Sequence, residues 1–273
     1  MARQQNRREF LMSGASLIAA VGAGLSAGCA SAPEAVPQKG IALRKEDFYQ
    51  GGVFDEHGVN HGGKFDAARA MQAYIDCWRR LGYPVYPALA QGDLQQNPNL
   101  RFWTVDFAKG DFLKFGMGGV IWVNEVREEY FGHDIYLLPG QSIAEHRHVA
   151  THLKAKDVHT GISYEKDVPA KMESWLVRHG WVYGFSEVGE PNLDKFPEAK
   201  ARLSSLYVTS EPGKNLLRSS HVEKWTADGI AHKLPKEGSW HFMMGGEEGA
   251  VVTAFANFHD GAGLRFSVPG VRF

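Results

Sequence analysis

Between residues 64 and 81, apolar side chains recur every three or four positions: Phe65, Ala68, Met71, Ile75, Trp78 and Leu81. That spacing puts them on one face of an amphipathic helix. Gly82 supplies a stop, and Pro84 and Pro87 block continuation. Beyond Leu100 the period changes. Short apolar segments fall at 101–107, 119–126, 134–138, 173–177, 181–185, 205–208, 250–258 and 263–267, several of them alternating or rich in β-branched and aromatic residues. Gly, Pro, Asn or Asp separate most of them. Many short strands with no helices between them predict a mainly β sandwich or closed barrel, preceded by one helix. No internal repeat is visible, and 48–273 reads as one domain.

Composition supports this picture. The chain has 273 residues, 31 of them Gly, and 12% aromatics. That balance favours strands and tight turns, and the length suffices for a substantial core. The formal net charge of −1 lacks the basic field that nucleic-acid binding needs.

The N-terminus reads as an address. Asn6-Arg7-Arg8-Glu9-Phe10-Leu11 precedes a mildly apolar stretch at 17–25, a pattern that resembles a twin-arginine export signal. The stretch falls short of the roughly 20 residues of a membrane span. Leu25-Ser26-Ala27-Gly28-Cys29 resembles a lipoprotein cleavage site, with Cys29 taking the lipid. The expectation is a signal at 1–29, a tether at 30–47 and a periplasmic protein that meets the membrane only through that anchor. Cys77, the other cysteine, then has no disulfide partner and is expected as a small buried residue.

Twelve histidines are present. His146-Arg147-His148 places two imidazoles at i and i+2, which share a face on a strand and can bind one metal ion. The surroundings add fixed spacings. Gly140 precedes His146 by six positions, Glu173 is followed by Gly180, and further on stand Gly229, Pro235, Gly238 and His241. These spacings resemble the two sequence motifs of the cupin superfamily. The resemblance implies a cupin double-stranded β-helix around one divalent metal, with His146, His148, Glu173 and His241 as ligands. Three histidines and a carboxylate suit Mn, Zn, Fe, Co or Ni, with Mn or Zn favoured. Cupins often pair with a second copy, so a homodimer is an expectation of the same kind.

The chain departs from the motif in one place. The Glu normally follows the His pair within a few residues, but here 149–170 intervene. Either His152 replaces Glu173, or a polar surface excursion carrying His152 and His159 has been inserted. The insertion is the reading adopted.

Within the cupins the chain resembles the D-lyxose isomerase branch. Phe102-Trp103, Leu138-Pro139-Gly140-Gln141, Lys171-Met172-Glu173, Gly238-Ser239-Trp240-His241-Phe242 and Gly249-Ala250-Val251-Val252 match it in order. The resemblance implies a sugar substrate and aldose–ketose isomerisation, with proton transfer between C2 and C1. Lys171 is the candidate for stabilising the intermediate or relaying its proton. Where that branch carries a Glu after Gly-Ala-Val-Val, this chain has Ala254; His259 or Asp260 is the candidate substitute. Two other functions stay open: a non-catalytic sugar-binding metalloprotein, which Ala254 favours, and a cupin oxygenase.

Overall fold

A computed structural model describes residues 42–85, 101–156, 161–207 and 216–272. The signal, most of the tether and His159 lie outside the described residues. Gln38–Phe273 forms one compact unit.

The helix α1 runs Ala67–Leu81. It starts three residues later than the apolar period suggests, because Asp66 caps it by accepting a bond from Arg69 N. Lys64–Phe65 instead forms a short strand, β4, against β1 (Tyr49–Gln50), and between them β2 (Val53–Phe54) pairs with β3 (Asn60–His61). Gly82 ends α1 with φ 70°. The inward face of α1, with Tyr74, Cys77 and Trp78, packs with Phe48, Phe102, Phe112, Val120, Tyr136 and Val251. Cys77 is buried and unbridged.

The main sheet is built around two long strands, β11 (Glu173–Ser186) and β14 (His241–Asn257). Its order is β12-β11-β14-β7-β6-β5, with β12 at His221–Thr226, β7 at Tyr130–Leu137, β6 at Met117–Glu125 and β5 at Arg101–Val105. The segments 173–177 and 181–185, read as two strands in the sequence, are one. A second layer continues from the first half of β14, which pairs through His241 with β8 (His146–His148), and β8 pairs with β15 (Leu264–Phe266).

The β11/β14 ladder matches Glu173 with Ala256 at one end and Ser186 with His241 at the other. From His241 to Ala256 a straight strand would span about 50 Å. Yet His241 Nε2 lies 3.0 Å from Glu173 Oε2. The strand pair therefore curls back until its ends meet. The register shifts at Val177/His179 and Gly180/Val182 mark the bend. Gly180 has φ 68°, and a Cβ there would sit 2.1 Å from Gly249 O, so no larger residue fits. The result is the mainly β barrel with one preceding helix expected from the sequence.

One expectation is corrected and another refined. Residues 205–207 are helical, the end of α2 (Pro197–Tyr207). Ala199, Leu203 and Tyr207 recur at four-residue steps and all face the core, and a proline at the first helical position suits a helix start. The intervening stretch after His148 is not a plain loop. It is a hairpin of β9 (Thr151–Lys156) and β10 (Ser163–Val168). Its alternation of charged and apolar residues gives one exposed face, so it is the surface excursion that was expected, with strand structure of its own.

Replacing Gly180 by Ala should destabilise the protein by about 3 kcal/mol, from left-handed strain plus the clash with Gly249 O. Urea unfolding of G180A at the same stability as wild type would show that the bend tolerates a side chain.

Candidate metal centre

Each cluster residue arrives by a different route. Alternation along β8 turns His146 and His148 to the same side, and the pairing with β14 and β15 holds that strand in place. Glu173 opens β11, and His241 opens β14 beside His146. The donor atoms of His146, His148, Glu173 and His241 all lie within 4.8 Å of one another. That spread is close to the about 4.2 Å separating opposite donors on one ion with bonds of about 2.1 Å.

The hydrogen bonds fix which nitrogens face inward. His146 Nδ1 donates to Ala144 O and His241 Nδ1 donates to Ser239 O, both at 2.9 Å. The proton is therefore on Nδ1 in each ring, and the lone pair is on Nε2. His241 Nε2 then confronts Glu173 Oε2 at 3.0 Å, and His148 Nε2 stands 3.5 Å from the same oxygen. Lone pairs on nitrogen facing a carboxylate repel unless a cation lies between them. Both ring nitrogens of His148 are buried with no hydrogen-bond partner among the described residues. These residues fit a divalent ion.

The electrostatics agree. Burial keeps His146 neutral, its basicity well below that of a free imidazole, with His241 and His148 adding to the effect. Burial likewise pushes His148 down to about 4, against the pull of Glu173. For Glu173 burial acts upward, but Lys171 and the two imidazoles outweigh it and hold the carboxyl well below its usual range. Neutral imidazoles and an ionised carboxylate are the forms that bind metal.

Lys171 is buried and ion-pairs through Nζ with Glu173 Oε1, leaving Oε2 to the histidines. Its ammonium lies 4.2 Å from the centre of the Phe131 ring. Burial pulls its basicity down and Glu173 restores part of it. His259 also reaches the site, with its ring edge-on to His148 at 5.4 Å. Asn124 grips its backbone on both sides: His259 N donates to Oδ1, and His259 O accepts from Nδ2. Burial pushes this imidazole down to about 2.

Asp260, proposed beside His259, is placed elsewhere. Its carboxylate accepts from Thr151 Oγ1 at 2.6 Å and from Ala262 N, capping the 3-10 turn Gly261–Gly263. It does not line the cavity. His152 is exposed on β9 and bonds Asp167 and Glu165, so the cluster contains Glu173 and not His152.

The cavity in front of the cluster is walled mostly by apolar side chains, among them Met117, Ile121, Ile135, Trp175 and Phe266. It also contains His133, which the sequence reading did not single out. A histidine between Gly132 and Asp134 carries no motif, and only the strand register reveals that it faces inward.

No family model matches the chain. A D-lyxose/D-mannose isomerase of Thermosediminibacter oceani is 25% identical over 195 residues, covering 69% of this chain and 89% of that protein. Among solved structures, the Cellulomonas parahominis L-ribose isomerase is 13% identical over 73% of this chain and 90% of its own, with a TM-score of 0.44. An uncharacterized Klebsiella pneumoniae protein with a double-stranded β-helix domain is 16% identical over 54% of this chain and 80% of its own, with a TM-score of 0.30. The chain is a distant relative of a sugar isomerase.

Below about pH 6.5 the unfolded chain takes up protons on its histidines. Folded His148 resists until about 4 and His133 until about 3. The metal-free protein should therefore lose stability as pH falls from 6.5, each such imidazole costing about 1.4 kcal/mol per pH unit. Urea midpoints that stay level between pH 7 and 5 would contradict this.

Proposed function

We propose that this protein is a metal-dependent aldose–ketose isomerase of the cupin type. The observation that carries the reading is the enclosed set of His146, His148, Glu173 and His241 with Lys171 in the same cavity. The distant D-lyxose/D-mannose isomerase relative supports it. A divalent ion on these four residues, with manganese or zinc favoured, supplies Lewis-acid polarisation of a sugar carbonyl.

The protein's own groups account for the proton traffic. Lys171 holds an ammonium proton in a buried site, against Glu173 Oε1, where charge on a neighbouring oxygen is poorly screened. It can donate to the oxygen that gains charge as a proton moves between C2 and C1. His259 lines the cavity edge-on to His148, and its Nδ1 is buried with no hydrogen-bond partner among the described residues. It is the acceptor proposed for the carbon-bound proton. The aromatic and aliphatic walls give both steps an apolar setting.

Ala254 favours a second reading. It is fully buried in the middle of β14 and offers only a methyl group. On that reading the barrel binds a sugar without converting it.

Export to the periplasm by the twin-arginine route, with a lipid on Cys29, belongs to the same proposal. Membrane association that survives Cys29→Ala unchanged would remove the anchor.

The deciding assay follows pentoses and hexoses by NMR with Mn-loaded and chelator-stripped protein. Conversion should appear only with metal. Lys171→Ala should lower kcat by about 10²–10³ while keeping the metal, and Glu173→Gln should lose the metal itself. Binding without conversion in a loaded, folded sample would establish the second reading instead.

A further inference from the structure

The strand register sets four side chains abreast on one face of the sheet. Ile121 pairs with His133, His133 with Ala254, and Ala254 with Trp175. Ile121, His133 and Trp175 line the cavity, so the methyl of Ala254 points the same way between His133 and Trp175. One step further along, Phe131 pairs with Ala256 and Ala256 with Glu173. His133 therefore stands one inward-facing position beyond the row that carries the metal cluster, and the two alanines of β14 leave space beside it.

His133 is 6% exposed, and neither Nδ1 nor Nε2 has a hydrogen-bond partner among the described residues. A buried polar group left unpaired costs stability, and proteins rarely retain one without use. Its near neighbours on the sheet, Phe131, Ile121 and Ala254, carry no polar side-chain atom. Burial, with Lys171 adding to it, keeps the ring neutral down to about pH 3. A neutral imidazole donates one hydrogen bond and accepts another. A hydroxyl needs that pair of complements.

We propose that His133 is a substrate-binding residue, which receives a sugar oxygen beside the metal cluster through the ring nitrogens that the protein leaves unpaired. This rests on the isomerase reading for the identity of the ligand. The four residues whose donor atoms converge do not include His133.

The test uses the metal-loaded protein and three variants, His133→Leu, His133→Phe and His133→Gln. Metal content is measured first and should stay at the wild-type level in all three. Binding is read by calorimetry with D-arabinitol and D-mannitol, sugar alcohols that cannot isomerise. Wild type should bind; His133→Leu and His133→Phe should bind at least tenfold more weakly, and His133→Gln should recover part of the loss. Thermal unfolding gives an independent readout. Removing an unpaired buried imidazole in favour of an apolar side chain should raise Tm by about 3 °C, whereas a structural histidine would give a fall. A fall in Tm for both Leu and Phe variants, or polyol affinity unchanged in both, would overturn the assignment. Wild type that neither binds a polyol nor converts a sugar, alongside variants with raised Tm, would overturn the sugar reading and leave His133 as the contact for another polar ligand.

Discussion

The approach of His241 to Glu173 is the constraint on which the rest of the barrel depends. These residues begin the two longest strands, and those strands are antiparallel, so a flat sheet would hold them at opposite ends of the ladder. Bringing them to 3.0 Å requires a closed curl, and the curl requires Gly180 against Gly249. The curl also brings β8 alongside β14, which delivers the other two histidines. Closure and metal site are thus one geometric event. The bonds from His146 and His241 to backbone carbonyls hold unprotonated nitrogens toward the carboxylate, a repulsion that a bound cation would relieve.

The site was legible where chemistry repeats at short range. The i, i+2 histidines declare a strand face, and the glycines at 140, 180 and 238 all take positive φ, which is why their spacing is diagnostic. The helix was legible because Met71, Ile75 and Trp78 keep a strict period. What escaped depended on long-range pairing. Nothing local distinguishes His133 from Asp134; the first faces the cavity and the second bonds Thr253 on the other face. Asp260 looked equivalent to His259, yet strand-end geometry commits it to Thr151. The stretch at 205–207 looked like a strand because Leu206-Tyr207-Val208 is apolar, and only the four-residue step back to Ala199 reveals the helix.

The polar groups of the cavity are gathered at one pole. Beyond the four cluster residues, Lys171, His133 and His259 gather around Phe131, while Met117, Ile135 and Phe266 add apolar wall. In so apolar a setting each charge or dipole acts through little dielectric screening. The pairing of Lys171 with one oxygen of Glu173 keeps the site close to neutral before any ion binds, which spares the barrel an uncompensated buried charge.

The pairings of β14 carry a kinetic consequence. It joins β7 at Asn257–Tyr130 and β8 at His241–His146, partners separated by about a hundred residues of chain. Contacts of this kind close long loops before they gain anything, so a chain built around them folds slowly, on the scale of milliseconds to seconds. During that interval the apolar faces of β7, β11 and β14 lie uncovered together. A chain of this topology is therefore one for which the compartment and the moment of folding matter as much as the final stability.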